Sequence, residues 1–318
     1  MPRVGVIGGG RLGSFHADKY RGLDGVQLVG IADIDCSRAD AVAGKCGTAA
    51  FYDFHDLLGR VDAVSVAVPT QAHFEVTRAC LEAGVHVLLE KPIACTLREA
   101  DALVDLAEQK GLTLQIGHIE RFNPAMIAAA PFVGRPVFIE ADRISLFPGR
   151  GADVDVVLDL MIHDLDLTLH LVGEEPSWVH GVGVPVLTPK ADIASVRMEF
   201  PGGCTANLTA SRISVKTQRK IRIFQPEAYL SVDLAERRVD LVRRIGAGPG
   251  RPTDIQAQAL SVSGEDALEQ ELKSFVAAVR NRTVPAVTGW DGRRALALAL
   301  KIMEQIDARV NAWPGGLG

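Results

Sequence analysis

Residues 3–13 read Arg3-Val4-Gly5-Val6-Ile7-Gly8-Gly9-Gly10-Arg11-Leu12-Gly13. A short apolar run of strand character enters a G-x-G-x-x-G turn, and the turn opens a helix expected over 13–21. The three glycines serve different ends. Gly8 allows the tight turn out of the strand, Gly10 lets backbone approach a pyrophosphate, and Gly13 lets helix pack closely on strand. The phosphates would then sit at the positive helix N-terminus, beside Arg11 and Leu12. About twenty residues after Gly13, at the end of the next strand, stands Asp33. Its carboxylate would accept hydrogen bonds from the ribose hydroxyls of NAD and repel a 2′-phosphate. Ile34 and Asp35 follow it, with no Arg or Lys immediately after, so NAD is favoured over NADP, although Arg38 is near enough to alter the preference. A glycine-rich turn and a solvated turn aspartate are the plain alternatives. The order strand, turn, helix and acidic residue argues against them.

Outward from this unit, apolar runs at 3–7, 27–33, 63–68, 86–90 and 113–116 alternate with helical stretches at 13–21, 71–83 and 97–110. Strict alternation with Val-, Ile- and Leu-rich strands indicates α/β architecture: a doubly wound parallel sheet covered on both faces. The pattern changes near residue 119. A short helix at 123–130 is followed by longer strand-like segments at 136–147, 177–186, 193–200, 205–213, 220–224 and 228–233, interrupted by one helix at 154–172. This reads as an α+β domain with an open, mostly antiparallel sheet and helices on one face. The stretch 245–264, rich in Gly, Pro and Ser, is expected to be a loop. Leu268, Leu272, Phe275, Val276 and Val279 recur at helical spacing, and 295–310 is a further helix. Two domains are expected, a dinucleotide-binding one over 1–120 and one over 121–318 that binds substrate and mediates oligomerisation.

Composition narrows the function class. With 318 residues, 47% hydrophobic and 23% charged, the chain can bury two cores. A formal net charge of -5 gives no electrostatic reason to expect nucleic acid or an anionic membrane as partner. The five cysteines are scattered without a CxxC pair, which fits a reducing cytoplasm and suggests neither disulfides nor a metal site. No leader peptide and no membrane-length apolar run are expected.

Two further stretches carry chemistry. Leu88-Leu89-Glu90-Lys91-Pro92 ends a buried strand at the edge where open parallel sheets bind ligands, and lysine there can donate to a substrate oxygen or exchange a proton. Asp159 and His163, four apart in an apolar helix, are expected to share one face, the carboxylate orienting the imidazole as a general base. A solvated Glu-Lys pair and a structural Asp/His pair are the plain alternatives, and His170 is read as structural.

Taken together, GGGRLG at 8–13, AVPTQAH at 67–73, LLEKP at 88–92, GHIERFNPA at 117–125 and LDLMIHDLD at 158–166 resemble the Gfo/Idh/MocA family of oxidoreductases over nearly the whole chain. The resemblance implies that Lys91, Asp159 and His163 carry hydride-transfer chemistry, with either Lys91 or His163 as base. It implies that Pro69, Thr70, His73, Glu90 and Lys91 line the dinucleotide, and that the second sheet supplies the substrate floor and a homodimer or homotetramer interface. Asp155 departs from the glycine that many members carry just before the catalytic helix. Within the family, GHIERFNPA and DVVLDLMIHDLD are most similar to members that oxidise the 3-hydroxyl of UDP-N-acetylglucosamine. Arg121 and Asn123, with His118 nearby, would then offer a guanidinium fork and an amide to a nucleotide sugar, unless they serve only to cap the elements beside them. Another sugar or polyol, such as glucose or inositol, is the alternative substrate, and a silent NAD-responsive binding protein is the alternative class.

Overall fold

A strand packed on both faces is mostly apolar, and β1 (Arg3–Ile7), β4 (Ala63–Val66) and β5 (His86–Glu90) are so through their centres, apart from Gly5 in the first and Ser65 in the second. The computed structural model describes residues 1–147, 154–245 and 255–312. With β2 (Gln27–Ala32), β3 (Ala49–Phe51) and β6 (Leu114–Gly117) these strands form a six-stranded parallel sheet in the order β3-β2-β1-β4-β5-β6. The order reverses between β1 and β4, which opens a crevice beyond their carboxyl ends. Five helices connect these strands: α1 (Arg11–Gly22), α2 (Cys36–Cys46), α3 (His55–Leu58), α4 (Thr70–Glu82) and α5 (Leu97–Lys110). Helix α5 shows why its limits are readable. Thr96 and Glu99 form a capping box at its start, and Gly111, with φ 63°, closes its end in the left-handed region.

Elements α2, β3 and α3 are additions to the expected set. The small residues of α2 give only a weak apolar stripe, but its ends are marked, since Asp35 accepts from Arg38 N and Gly47 has φ 66°.

The second sheet has eight strands: β7 (Phe138–Ile144), β8 (Trp178–Val184), β9 (Ile193–Glu199), β10 (Thr205–Ser211), β11 (Gln218–Gln225), β12 (Ala228–Asp233), β13 (Arg238–Arg244) and β14 (Ile255–Leu260). Their order is β14-β13-β12-β11-β7-β10-β9-β8, antiparallel except for the parallel pair β7 and β10. Strands β13 and β14 are also additions, and β14 overturns the loop expected over 245–264 where it falls at 255–260; residues 246–254 lie outside the described residues. As an edge strand with polar alternation, β14 resembles a loop in composition.

Helices α6 (Pro124–Ala129) and α7 (Ile162–Val172) pack on this sheet, and α7 is preceded by a π-helical turn at Val157–Met161. Ile139, Ala141, Leu208, Ile221, Ile223 and Leu165 lie in one core beneath them. Two further helices follow among the described residues, α8 (Ala267–Asn281) and α9 (Gly289–Asn311).

The chain divides into two units: Met1–Ile119 with Asp266–Leu296, and Glu120–Glu265 with Ala297–Gly318. The division expected at 120/121 therefore needs amending, because Asp266–Leu296 belongs with the first unit. The reason is apolar: Leu272, Phe275 and Val276 of α8 are buried in one cluster with Val4, Val6, Tyr20 and Ile31. No helix among the described residues is long and apolar enough to cross a membrane.

Candidate active site

At the carboxyl ends of β1, β2 and β4 a cavity of about 450 Å³ is lined by Gly8, Gly10, Arg11, Leu12, Asp33, Ile34 and Pro69, together with Ala32, Arg38, Phe54, Ala67, Val68, Ala72 and Val76. Gly8 has φ 100°, and a Cβ there would lie 2.5 Å from Ala67 O. A Cβ on Gly13 would lie 1.7 Å from Gly8 O, so no side chain fits between helix and turn. Gly10 differs from both: a Cβ would meet nothing within 4 Å, so the protein itself does not require glycine there. Space left open at this position, beside the uncapped first turn of α1, suits a pyrophosphate accepting from backbone amides.

Asp33 is fixed by backbone, accepting from Gly9 N at 2.7 Å and from Asp35 N at 2.8 Å. These bonds hold the carboxylate at the cavity wall with acceptor capacity left for ribose hydroxyls. Arg38 bonds Asp35 through Nε at 3.1 Å and stands 4.0 Å from Asp33. It is thus already paired with acidic groups. Phe54, Val68 and Val76 add to the wall beyond the expected residues and supply apolar surface for a flat ring. Phe54 sits just before the four-residue α3 and carries no motif that would flag it in the sequence.

Several residues expected at the dinucleotide also have partners in the framework. His73 is 1% exposed, with Nδ1 2.7 Å from Pro92 O and Nε2 3.0 Å from Val68 O, so it ties the turn after β5 to the turn after β4. Burial holds its imidazole below the ordinary histidine range. Thr70 opens α4, and its carbonyl faces Cys95 Sγ at 3.6 Å. Glu90 does not line the cavity; its Oε1 lies 3.0 Å from His16 Nε2. Burial pushes the Glu90 carboxyl up, but the bond to His16 and the charges of His16 and Lys91 outweigh that, leaving it below the ordinary range. Lys91 follows at the carboxyl end of β5, half-buried, in a cis peptide bond to Pro92. His118, just past β6, is buried.

In the second unit, Asp159 lies on the π-helical turn and His163 in the first turn of α7, both half-buried. A π turn re-aims side chains relative to a regular helix and is common at functional sites. Asp155, the departure from the family pattern, is 3% exposed and accepts from Val157 N at 2.8 Å, so its carboxylate holds the entry to this turn.

Arg121 and Asn123, expected at the substrate, also have partners within the fold. Arg121 donates through Nε and Nη2 to both oxygens of Asp166, at 2.6 and 2.7 Å, with Asp166 1% exposed. Asn123 caps α6 through Ala125 N and donates to Glu120 Oε2 and Leu234 O. The fork and the amide are therefore engaged within the fold. Next to them Arg143 bridges Asp164 and Glu120 at 2.8 and 2.7 Å.

Comparison with known proteins agrees with this arrangement. Residues 2–118 match the model of the oxidoreductase family with an NAD-binding Rossmann fold, and residues 134–231 match the GFO/IDH/MocA C-terminal domain. The chain is 43% identical to the UDP-N-acetylglucosamine 3-dehydrogenase of Acidithiobacillus ferrooxidans over 96% of this chain and 97% of that protein. A solved structure of that enzyme superposes with a TM-score of 0.91 at 42% identity, covering 96% of this chain and 98% of the other. The myo-inositol 2-dehydrogenase of Thermotoga maritima is 28% identical over 96% of this chain and 97% of its own length. The glycine cradle, the anchored Asp33 and these full-length similarities establish the chain as a member of the Gfo/Idh/MocA family of oxidoreductases, with NAD as its cofactor.

Proposed function

We propose that this chain oxidises the 3-hydroxyl of UDP-N-acetylglucosamine to the 3-keto sugar. The observation that carries the reading is the 43% identity over almost the full length of both chains. In this reading NAD, when bound, accepts the hydride from the carbon bearing the hydroxyl. His163 takes the hydroxyl proton, Lys91 donates a hydrogen bond to the same oxygen, and Asp159 orients the imidazole and stabilises its protonated form. The backbone around Gly10 would hold the pyrophosphate of the cofactor, and Asp33 its ribose.

A polyol such as inositol is the second reading, favoured by the full-length likeness to the Thermotoga maritima enzyme. Formation of reduced cofactor with UDP-N-acetylglucosamine, free N-acetylglucosamine and myo-inositol separates the two. The nucleotide sugar is expected to be turned over at least about tenfold more efficiently, a difference of about 1.4 kcal/mol in transition-state binding. Equal or better turnover of inositol or of the free sugar removes the nucleotide-sugar reading and leaves the dehydrogenase.

The same proposal places the enzyme in the cytoplasm, in keeping with its five free cysteines. It also takes the chain to be a homodimer or homotetramer through the sheet face opposite α6 and α7, where Arg222 pairs with Glu140 at 2.9 Å. Light scattering on the purified chain tests the assembly, and a monomer at micromolar concentration would dismiss it.

A further inference from the structure

Three ionisable side chains from separate elements of the first unit meet outside the cofactor cavity. They are His16 on α1, Glu90 at the end of β5 and Glu271 on α8, whose nitrogen and oxygen atoms lie within 4.8 Å of one another. His16 is 1% exposed and Glu271 0%. Glu90 Oε1 is 3.0 Å from His16 Nε2, whereas among the described residues neither carboxyl oxygen of Glu271 has a hydrogen-bond partner. The backbone of Glu271 is held, since its carbonyl accepts from Gln115 Nε2 at 3.3 Å.

Charged and titratable groups from several elements of the first unit surround this cluster. Helix α1 brings His16 and Tyr20, whose hydroxyl is 2.9 Å from Ser65 Oγ of β4. Strand β5 and the turn after it bring Glu90 and Lys91, whose charge reaches Glu90, and α4 brings His73, held below the ordinary histidine range by burial. Strand β6 contributes Gln115 and Gly117, where a Cβ would come within 3.1 Å of Glu90 Oε2. Next to Glu271 on α8 stand the carbon side chains of Leu272 and Phe275. Lys19 and Lys273 are engaged with Glu269 at the exposed side of that helix.

Two carboxylates this close in a dry setting cannot both stay charged. Glu90 has the bond to His16 and the charge of Lys91 within reach, while Glu271 has no hydrogen-bond partner for its carboxyl among the described residues and the negative charge of Glu90 beside it. We propose that Glu271 is a positioning residue for Lys91: as a neutral acid it leaves Glu90 the one anion of the cluster, bonded to His16 and presenting a single negative charge to the Lys91 ammonium. Burial, with the charge of Glu90 added to it, holds the Glu271 carboxyl well above the ordinary carboxylate range, in keeping with this geometry. The proposal rests on the reading of Lys91 as a group that touches the substrate oxygen.

The linkage has a definite sign. A carboxyl raised in the folded state prefers its proton there, so folding stability falls as pH rises from the unfolded carboxyl value toward the folded one. Glutamine mimics the neutral acid and carries no such loss. In melting curves of the full chain from pH 5.5 to 9, Glu271→Gln is expected to melt above wild type at pH 7 and beyond, with a gap that widens with pH. In kinetics, Glu271→Ala should lose about tenfold in kcat/KM at pH 7, while Glu271→Gln recovers to within about threefold and moves the alkaline limb outward by about one pH unit. Should Glu271→Gln fold poorly, Glu90→Gln read by melting alone removes the charge that adds to burial in keeping Glu271 neutral, and makes the same slope shallower.

A gap that does not vary with pH, or an alkaline limb that stays in place, overturns the proposal. A stoichiometric divalent metal in the purified protein, with melting lowered by a chelator, overturns it in favour of a cation on these three groups. The melting curves need no sugar substrate. Absence of turnover on UDP-N-acetylglucosamine would therefore count against the functional reading alone, while the protonation of Glu271 is decided separately.

Discussion

Gly10 and Gly13 sit three residues apart in the same turn, yet alanine at each should fail for opposite reasons. Gly10 has φ -66° and ψ -169°, a conformation alanine adopts readily, and a Cβ there meets no protein atom within 4 Å. Gly10→Ala should therefore melt close to wild type. The Cβ would nevertheless stand where the pyrophosphate approaches, and a hundredfold loss of NAD affinity corresponds to about 2.7 kcal/mol. Gly13→Ala drives a Cβ to 1.7 Å from Gly8 O, a backbone atom that cannot swing aside. Overpacking of that kind should cost about 3 kcal/mol or more.

Thermal melting with and without NAD separates the two effects. At a concentration about one hundred times the wild-type Kd, NAD stabilises wild type by about 2.7 kcal/mol, and a variant bound a hundredfold more weakly by only about 0.4 kcal/mol. The expected pattern is a wild-type melting point without NAD and almost no NAD shift for Gly10→Ala, against a low melting point for Gly13→Ala. An undiminished NAD shift in Gly10→Ala would refute the assignment of this opening to the pyrophosphate.

Lys91→Ala and His163→Ala should each abolish turnover while leaving NAD affinity within about threefold, and Asp159→Asn should reduce kcat less completely; near-native turnover in the two alanine variants would remove them from the mechanism. Asp33→Ser should weaken NAD and raise the relative use of NADP in steady-state kinetics, whereas a wild-type preference for NADP would discard the role of Asp33. Arg121→Lys breaks a two-pronged bond to buried Asp166 that lysine cannot copy, so urea denaturation should show a loss of about 1–3 kcal/mol with KM for the sugar substrate unchanged. Asp192 is buried, and burial alone would raise its carboxyl, but three backbone amides and Arg212 outweigh that and hold it below the ordinary range. Its contribution is therefore present above a pH of about 4 and lost as pH falls through the folded value, so the stability gap between wild type and Asp192→Asn should close in acid.

What can be read from the residues alone follows from the range of the interaction behind each feature. The strand, the glycine turn and Asp33 are legible because the backbone conformation, the helix terminus and the carboxylate all act within one βαβ unit. The antiparallel character of the second sheet is legible from its long alternating strands. Its internal parallel pair β7 and β10 is not, because pairing order is set by partners far apart in the chain. Arg121 and Asn123 read as substrate contacts because a polar residue beside a domain junction looks the same whether its partner is a ligand or Asp166, 45 residues on. For His73 and Glu90 the motifs mark the turns, while the partners Val68, Pro92 and His16 come from other elements and cannot be read from the motif. Glu271 carries no signal, since a glutamate on an amphipathic helix reads as solvated until the helix is seen packed against α1.

The return of α8 to the first unit has a consequence for how the protein is made. The cluster around Val4, Tyr20 and Ile31 is closed by Leu272, Phe275 and Val276, residues translated long after the six parallel strands. At a synthesis rate of about 5–20 residues per second, the nascent nucleotide-binding half waits about 8–30 s for that cover. During this interval its oily flank is open to chaperones and to neighbouring chains on the same message. A piece ending at Ile119 would remain in that condition permanently.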